Sequence, residues 1–549
     1  MMKCLNLIII LCFCISANLK AQQTPMPLNH DVLNQINRYV DGQNSHLHTA
    51  IKPYNESEVL DNIDAAAAKD ASLPDYNAYF SGDSTSNGAG GISLGWKRGD
   101  LVALQKKKFY IGINPIIDAQ YVINKKDNHN FLYSTYGAQM RMHITKKLTL
   151  SATYYGHSGG EPDYVAEQID QYGQQPGFNH VNKKKDAYKS SELEALITFS
   201  PVKQFTMQGG YGKNFWGEGY RSMFISDNAT AYPYVLLTTN FWKIKYAYLL
   251  NFMESGTLDS LHNEWNYERK FGNFHYLSFD IAKWMQFGFF EGVVWRNTDS
   301  LGRKRGMEFN YLNPMVMIRP VEFALGSPDN VQLGFNFKFK PSNNNIIYLQ
   351  TLLDDLDIKR ARGGKGFYRT KIAMQMGYKA YDILGVKHLD FQTEFNLVRP
   401  FVYSHKVAVQ NYAHSNMALA HPLGANFYEI IAIARYQWDR VTTKFAFSYA
   451  KQGRDDGTDA TPKGNNIYIS DYEISPDLNT AYGQKFLQGN KTSIVNLDLS
   501  VGYMLHPYTR TKVAFFTHLR NFKNEDYSTK NVMIGVGLST SFFNRYTDY

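Results

Sequence analysis

Val331-Gln332-Leu333-Gly334-Phe335-Asn336-Phe337-Lys338-Phe339-Lys340 sets apolar side chains against polar or small ones in strict alternation. Successive side chains of a β-strand point to opposite faces, so this stretch is a strand with one apolar and one wet face. The same period returns in Val441–Tyr449, Val495–Leu505 and Val532–Phe542. A tilted strand needs about ten residues to cross a bilayer, and repeated runs of that length predict a transmembrane β-barrel, apolar toward lipid and polar toward a lumen. A large soluble sandwich also buries one face of each strand and stands as the rival reading.

The N-terminus agrees with the barrel. Met1-Met2-Lys3, the apolar run Cys4–Leu19 and then Lys20-Ala21-Gln22-Gln23 have the three parts of an export signal, which predicts a signal peptide over 1–21. Cys4, Cys12 and Cys14 all lie within it, so the mature chain has no thiol for a disulfide, a metal or nucleophilic catalysis. No other apolar run has the length of a membrane helix, so any spanning is done by strands. Aromatics make up 15% of the chain, mostly Tyr and Phe, as the interfacial girdles of such barrels require. Loss of Lys3 and Lys20 lowers the net charge from +9 to +7. No nucleic-acid motif accompanies this excess, and the expected partners are outer-membrane lipid and acidic surface polysaccharide or lipopolysaccharide.

Three regions follow: the signal, a periplasmic helical plug and linker over 22–104, and the barrel over 105–549. Asn29 caps a helix with Val32, Leu33, Ile36, Tyr39 and Val40 at helical spacing, and a second helix is expected over 56–70. A flexible tether is the alternative, and the Ser/Gly-rich stretch 81–91 links the region to the first strand. Eighteen strands are expected from 109 onward. The first three cover 109–123, 131–144 and 148–156, the eighth and twelfth cover 272–284 and 367–380, and the last three cover 491–505, 511–520 and 531–543. Short connections such as Thr145–Lys147 and Trp438–Asp439 fall on one rim, periplasmic by rule. The long ones, 157–187, 213–231, 296–330, 399–425 and 452–490, fall on the other, and 296–330 has room for a further hairpin.

The most specific string is Gly212-Lys213-Asn214-Phe215-Trp216-Gly217-Glu218-Gly219-Tyr220, followed by Ser226-Asp227-Asn228-Ala229 and Tyr232-Pro233. It resembles the capsule-assembly Wzi family, whose barrels carry a Trp-Gly-Pro-Gly-like turn and then an Asn-Ala-x-x-x-Pro string; here Glu218 stands where proline is common. Leu47–Tyr54, Asn396–Tyr403 and His421–Asn426 are most similar to the gliding-motility RemB-like branch of that family. The resemblance implies a cell outer-membrane barrel with a periplasmic plug that holds capsular polysaccharide, or takes part in surface motility through gliding-apparatus proteins.

Two loops supply candidate ligand-binding residues. In the first, Trp216 and Tyr220 offer ring faces for a sugar, with Asp227 and Asn228 as hydrogen-bonding neighbours; packing inside the barrel mouth is the other reading of Trp216. In the second, Lys359, Arg360, Arg362 and Lys365 form a basic cluster suited to an acidic glycan. Asp354, Asp355 and Asp357 lack the glycine and distal glutamate of a calcium loop, so no metal is expected there. His414-Ser415-Asn416 and His421 bring together residue types used by lipases, yet no Gly-x-Ser-x-Gly or His-Glu-x-x-His string occurs. No catalytic residue and no cofactor is expected. A diffusion porin and a structural gliding component remain as alternative functions.

Overall fold

The computed structural model describes residues 24–549, apart from 43–46, 63–90, 96–99, 107–108, 127–128, 185–186, 260–263, 300, 314–328, 355–357, 456–460, 472–480, 507–508 and 541–542. The signal, the end of the second helix, the linker residues 81–90 and the centre of the 296–330 connection lie outside the described residues.

Eighteen antiparallel strands close into a barrel. In chain order they are β1 (Phe109–Asn124), β2 (His129–His143), β3 (Leu148–Gly159), β4 (Ala187–Val202), β5 (Phe205–Gly212) and β6 (Tyr232–Phe241). Then come β7 (Ile244–Asp259), β8 (Glu264–Ala282), β9 (Met285–Arg296), β10 (Asn330–Ser342), β11 (Asn345–Asp354) and β12 (Ile372–Ala380). The last six are β13 (Leu389–Val398), β14 (Phe427–Trp438), β15 (Val441–Arg454), β16 (Asn490–His506), β17 (Thr511–Lys523) and β18 (Ser528–Thr540). Closure comes from β18 against β1, running from Met533 opposite Asn124 to Ser539 opposite Asp118. Below that point β18 leaves the wall and strand Val102–Lys106 takes its place beside Phe109–Ile113.

The wall inverts the burial of a soluble protein, and this excludes the sandwich. In β10 the polar Gln332, Asn336 and Lys338 are buried, while Leu333, Phe335, Phe337 and Phe339 are the more exposed. Ile117, Tyr136, Ile197, Met376, Phe515 and Val536 are likewise exposed on neighbouring strands, forming an apolar outer face that only lipid can cover. Trp242, Trp284 and Trp438 are exposed on three short turns of one rim, the position of an interfacial aromatic belt. Among the described residues no helix is long and apolar enough to cross a membrane.

The lumen is full. Helix α1 (His30–Asp41), capped by the Asn29 side chain accepting from Asp31 N and Val32 N, lies inside the short-turn end. There Asn34 Nδ2 donates to Asp390 at 3.1 Å and Arg38 bonds both Asp382 and Asp390. Helix α2 (Glu56–Asn62) follows it, with Glu56 paired to wall residue Arg141 at 3.1 Å. Between the helices, Ile51–Lys52 forms a two-stranded ribbon with Phe215–Trp216. The connections 213–231 and 399–425 begin at the long-loop rim as expected, but instead of standing in solvent they fold into the barrel and supply Phe224, Tyr403, Tyr412 and Leu419 to its interior cluster. Tyr549 is also inside: its backbone oxygen accepts from Arg520 Nη2 at 2.7 Å. Wall residues such as Lys338, Gln350 and Glu394 find hydrogen-bond partners in this filling.

Candidate functional site

The loop singled out in the sequence is an interior structural element. Trp216 is fully buried; its backbone N–H donates to Ile225 O at 2.8 Å and its ring meets Tyr276 and Phe290 edge-on at 6.0 and 6.2 Å. It presents no free face to a sugar, which corrects the stacking role. The glycine at 219 is set by close approach: a Cβ there would lie 2.3 Å from Glu394 Oε2 and 2.6 Å from Arg221 O. Glu218, standing where the resembling family has proline, accepts from Thr49 Oγ1 at 2.8 Å and faces Lys338 at 4.0 Å. Burial alone would raise its pKa, but Lys338, Lys52 and Lys379 overcome that and hold it below the usual carboxylate range.

Asp227 and Asn228 are buried as well. Asp227 accepts from Tyr546 OH at 2.6 Å and from Asn544 Nδ2 at 2.8 Å, tying the loop to the C-terminal tail. Asn228 Nδ2 donates to Ala418 O at 3.0 Å. Both polar groups are therefore spent on the fold. Tyr220 is half-buried, with its ring 4.5 Å from that of His30 and under the Arg221 guanidinium at 4.9 Å. These four residues belong to one interior assembly.

Lys359, Arg360, Arg362 and Lys365 are exposed on a separate loop. Arg360 stacks over Phe367 at 5.3 Å, and the loop is held by Gly483 N donating to Lys365 O at 2.8 Å. Asp354, read as part of a carboxylate cluster, is a buried wall residue that accepts from Tyr403 N at 2.7 Å; Asp355 and Asp357 lie outside the described residues.

A different site emerges at the long-loop mouth. A cleft of about 350 Å³ lies between helix α3 (Asp163–Tyr172), the ends of β15, β17 and β18, and the chain around Tyr468. Helix α3 packs Val165 and Ile169, one turn apart, against Tyr188, and this leaves Tyr164 and Tyr172 on the cleft. Tyr172 and Tyr468 lie 4.9 Å apart, and Phe522 and Tyr527 stack at 5.5 Å. Arg454 and Arg520 flank the Phe522 ring at 5.2 and 5.3 Å, and Arg520 also covers Tyr164 at 4.1 Å. Arg454 Nε donates to Gln452 Oε1 at 2.8 Å, and Arg520 Nη2 donates to the Tyr549 backbone oxygen at 2.7 Å. Ring faces beside guanidinium forks can stack on a sugar and grip its carboxylate.

Sequence reasoning missed this cleft because its residues come from segments far apart in the chain.

No family model matches the chain, and no curated protein matches it. Among solved structures it is similar to Wzi of Escherichia coli, described as a carbohydrate-binding β-barrel involved in group 1 capsule assembly. The TM-score is 0.54 at 11% identity, covering 95% of this chain and 100% of that one. Pseudomonas aeruginosa OprD follows at TM-score 0.41 and 9% identity over 78% of this chain and 94% of that one. OpdK of the same organism, solved with vanillate, gives 0.43 and 8% over 78% and 98%. The chain is an outer-membrane β-barrel of eighteen strands with an N-terminal helix.

Proposed function

We propose that this barrel holds acidic surface polysaccharide at its outer mouth, as a binding protein rather than an enzyme. The observation that carries the reading is the cleft where Tyr527, Phe522, Arg454 and Arg520 surround a space of about 350 Å³. That volume lies at the lower end of ordinary ligand sites, which begin at about 300 Å³ and suit a short stretch of sugar rings. The likeness to a capsule-assembly barrel supports the same choice. A diffusion porin fits less well, since interior loops and helix α1 occupy the lumen. The region before residue 105 then serves as a plug presented from the periplasm, and the exposed Lys359–Lys365 loop acts as an outer electrostatic collar.

The test is binding of purified barrel to an acidic capsular polysaccharide. Tyr527 is 54% exposed and lies in a turn, so Tyr527→Ala should leave the fold intact. Arg454→Gln removes the charge and keeps a polar group. Each should weaken binding about tenfold, the worth of one aromatic platform or one charge-assisted contact. Changing Lys359, Arg360, Arg362 and Lys365 to Gln should chiefly flatten the salt dependence, because exposed charges act within about 8 Å at physiological salt. Full binding by the cleft variants with loss in the loop variant would move the site to the loop. If all variants bind fully, a protein partner replaces the glycan; a strain lacking the gene that keeps its capsule but stops moving would then assign the protein to the gliding apparatus.

A further inference from the structure

At the opposite end of the barrel, where α1 meets the wall, four cations converge on one carboxylate. Arg435 Nε stands 3.4 Å from Asp31 Oδ1, Lys444 Nζ 3.9 Å from the same atom, and Lys512 Nζ 4.0 Å from Asp31 Oδ2. The two ammonium groups are thus beyond hydrogen-bonding reach of Asp31. Arg510 completes the ring; it donates through Nη1 to Gln35 Oε1 at 2.6 Å. All five line one cavity of about 70 Å³, several times the ~10–15 Å³ that a single water needs. Arg38 and Asp390, also on this cavity, are bonded to each other and leave its balance unchanged.

Two observations separate this from a carboxylate that has simply gathered counterions. The first is the surplus: one negative charge faces four positive ones. The second is Arg510, nine-tenths buried, whose Nε has no hydrogen-bond partner although its side chain lines the cavity. A buried guanidinium N–H without an acceptor is costly unless something else supplies one. The cavity is open at its mouth, since the Lys444 and Asp31 side chains keep 32% and 29% exposure. The same surplus acts on Asp31: burial alone would raise its pKa, but Lys444, Lys512, Arg435 and Arg510 hold it far below the usual range.

We propose that this short-turn-rim cavity is a binding site for a phosphate-type oxyanion, held by Lys444, Lys512, Arg435 and the free edge of Arg510. A dianion answers the surplus of three charges better than a single carboxylate, and a tetrahedral group can accept from donors arranged around it. The site faces the periplasm, on the side away from the glycan cleft, and is independent of that reading. Free phosphate and a phosphoryl ester on an exported molecule share this chemistry.

Calorimetric titration of the mature full-length barrel in detergent with sodium phosphate, at ionic strength matched by sodium chloride, tests it. Saturable binding with a millimolar-range Kd is expected, and the K444Q/K512Q pair should weaken it about tenfold or more. R510Q should weaken it too, in a barrel that still shows the heat-modifiable migration of a folded β-barrel. If the double variant fails to fold, K444Q alone and R510Q alone each decide. Absence of saturation, or saturation that these variants leave unchanged, overturns the site. A hexose phosphate run in parallel separates the sources: tighter binding than inorganic phosphate assigns an ester ligand, and equal or weaker binding assigns the free ion.

Discussion

Replacing Arg221 by Met will lower the unfolding free energy of the barrel by about 3–5 kcal/mol, the cost of leaving a buried charge without its partner. Arg221 is 1% exposed at the centre of the lumen. Its guanidinium pairs with Glu429 at 3.1 Å and with Asp548 of the tail at 2.9 Å, and lies over the rings of Tyr220 and Tyr546. Its backbone N–H donates to Glu394 at 3.1 Å. Met fills similar space but leaves Glu429 with only His421 Nε2 at 2.8 Å and Asn396 Nδ2 at 3.0 Å. Urea unfolding in detergent, followed by tryptophan fluorescence, measures the loss. Adding Glu429→Gln to the Met variant should restore part of it, because a neutral amide needs no counter-charge, and with the Glu429→Gln single variant the cycle gives the coupling energy of the pair. Equal stability of wild type and Arg221→Met would mean that the interior network does not hold the tail and loops in place.

This network marks the boundary of what the chain discloses by pattern. The wall was legible because lipid demands an apolar residue at every second position, and each of the eighteen expected strands is present. Ends were less so. The strand expected from 272 begins at Glu264, since residues such as Trp265-Asn266-Tyr267-Glu268-Arg269 extend beyond the apolar belt, where neither face is required to be greasy. The strand expected from 367 begins at Ile372, because Phe367 and Tyr368 turn to meet Tyr482 and Ala481. The interior was illegible for a physical reason. A lumen-facing Lys338 or Arg141 has the same place in the alternation whether it meets water or a plug; here the partners are Asp41 at 2.6 Å and Glu56 at 3.1 Å, far away in sequence. Asn29 and the apolar stripe of α1 were readable as a helix, but nothing local reports which wall it docks on. The cleft was hidden likewise, since aromatic and arginine residues at strand ends resemble an interfacial girdle until the chain is closed around them.

The same interior decides conductance. In a planar bilayer the full-length mature protein should pass no steady porin-like current, because a path down the axis must cross several independently anchored layers. At the short-turn end α1 is fixed by Arg38 to Asp382 and Asp390, and by Lys338 to Asp41 and Thr49 at 2.6 Å. Above it the ribbon of Ile51–Lys52 with Phe215–Trp216 is tied by Lys52 Nζ donating to Gly217 O at 2.5 Å. Higher still, Ser226 N donates to Leu419 O at 2.6 Å, joining the two inward connections, and the tail packs beneath them through Asp227. Arg38→Gln combined with Asp390→Asn removes one of the ion pairs that pin α1 and makes both side chains neutral at similar size. That variant should give brief, small openings and no stable channel, since the upper layers do not depend on it. Large steady conductance from the unmodified protein would overturn the closed-lumen reading and favour a diffusion pore; steady conductance from the variant alone would show that α1 is the whole barrier and that the inward loops are permeable.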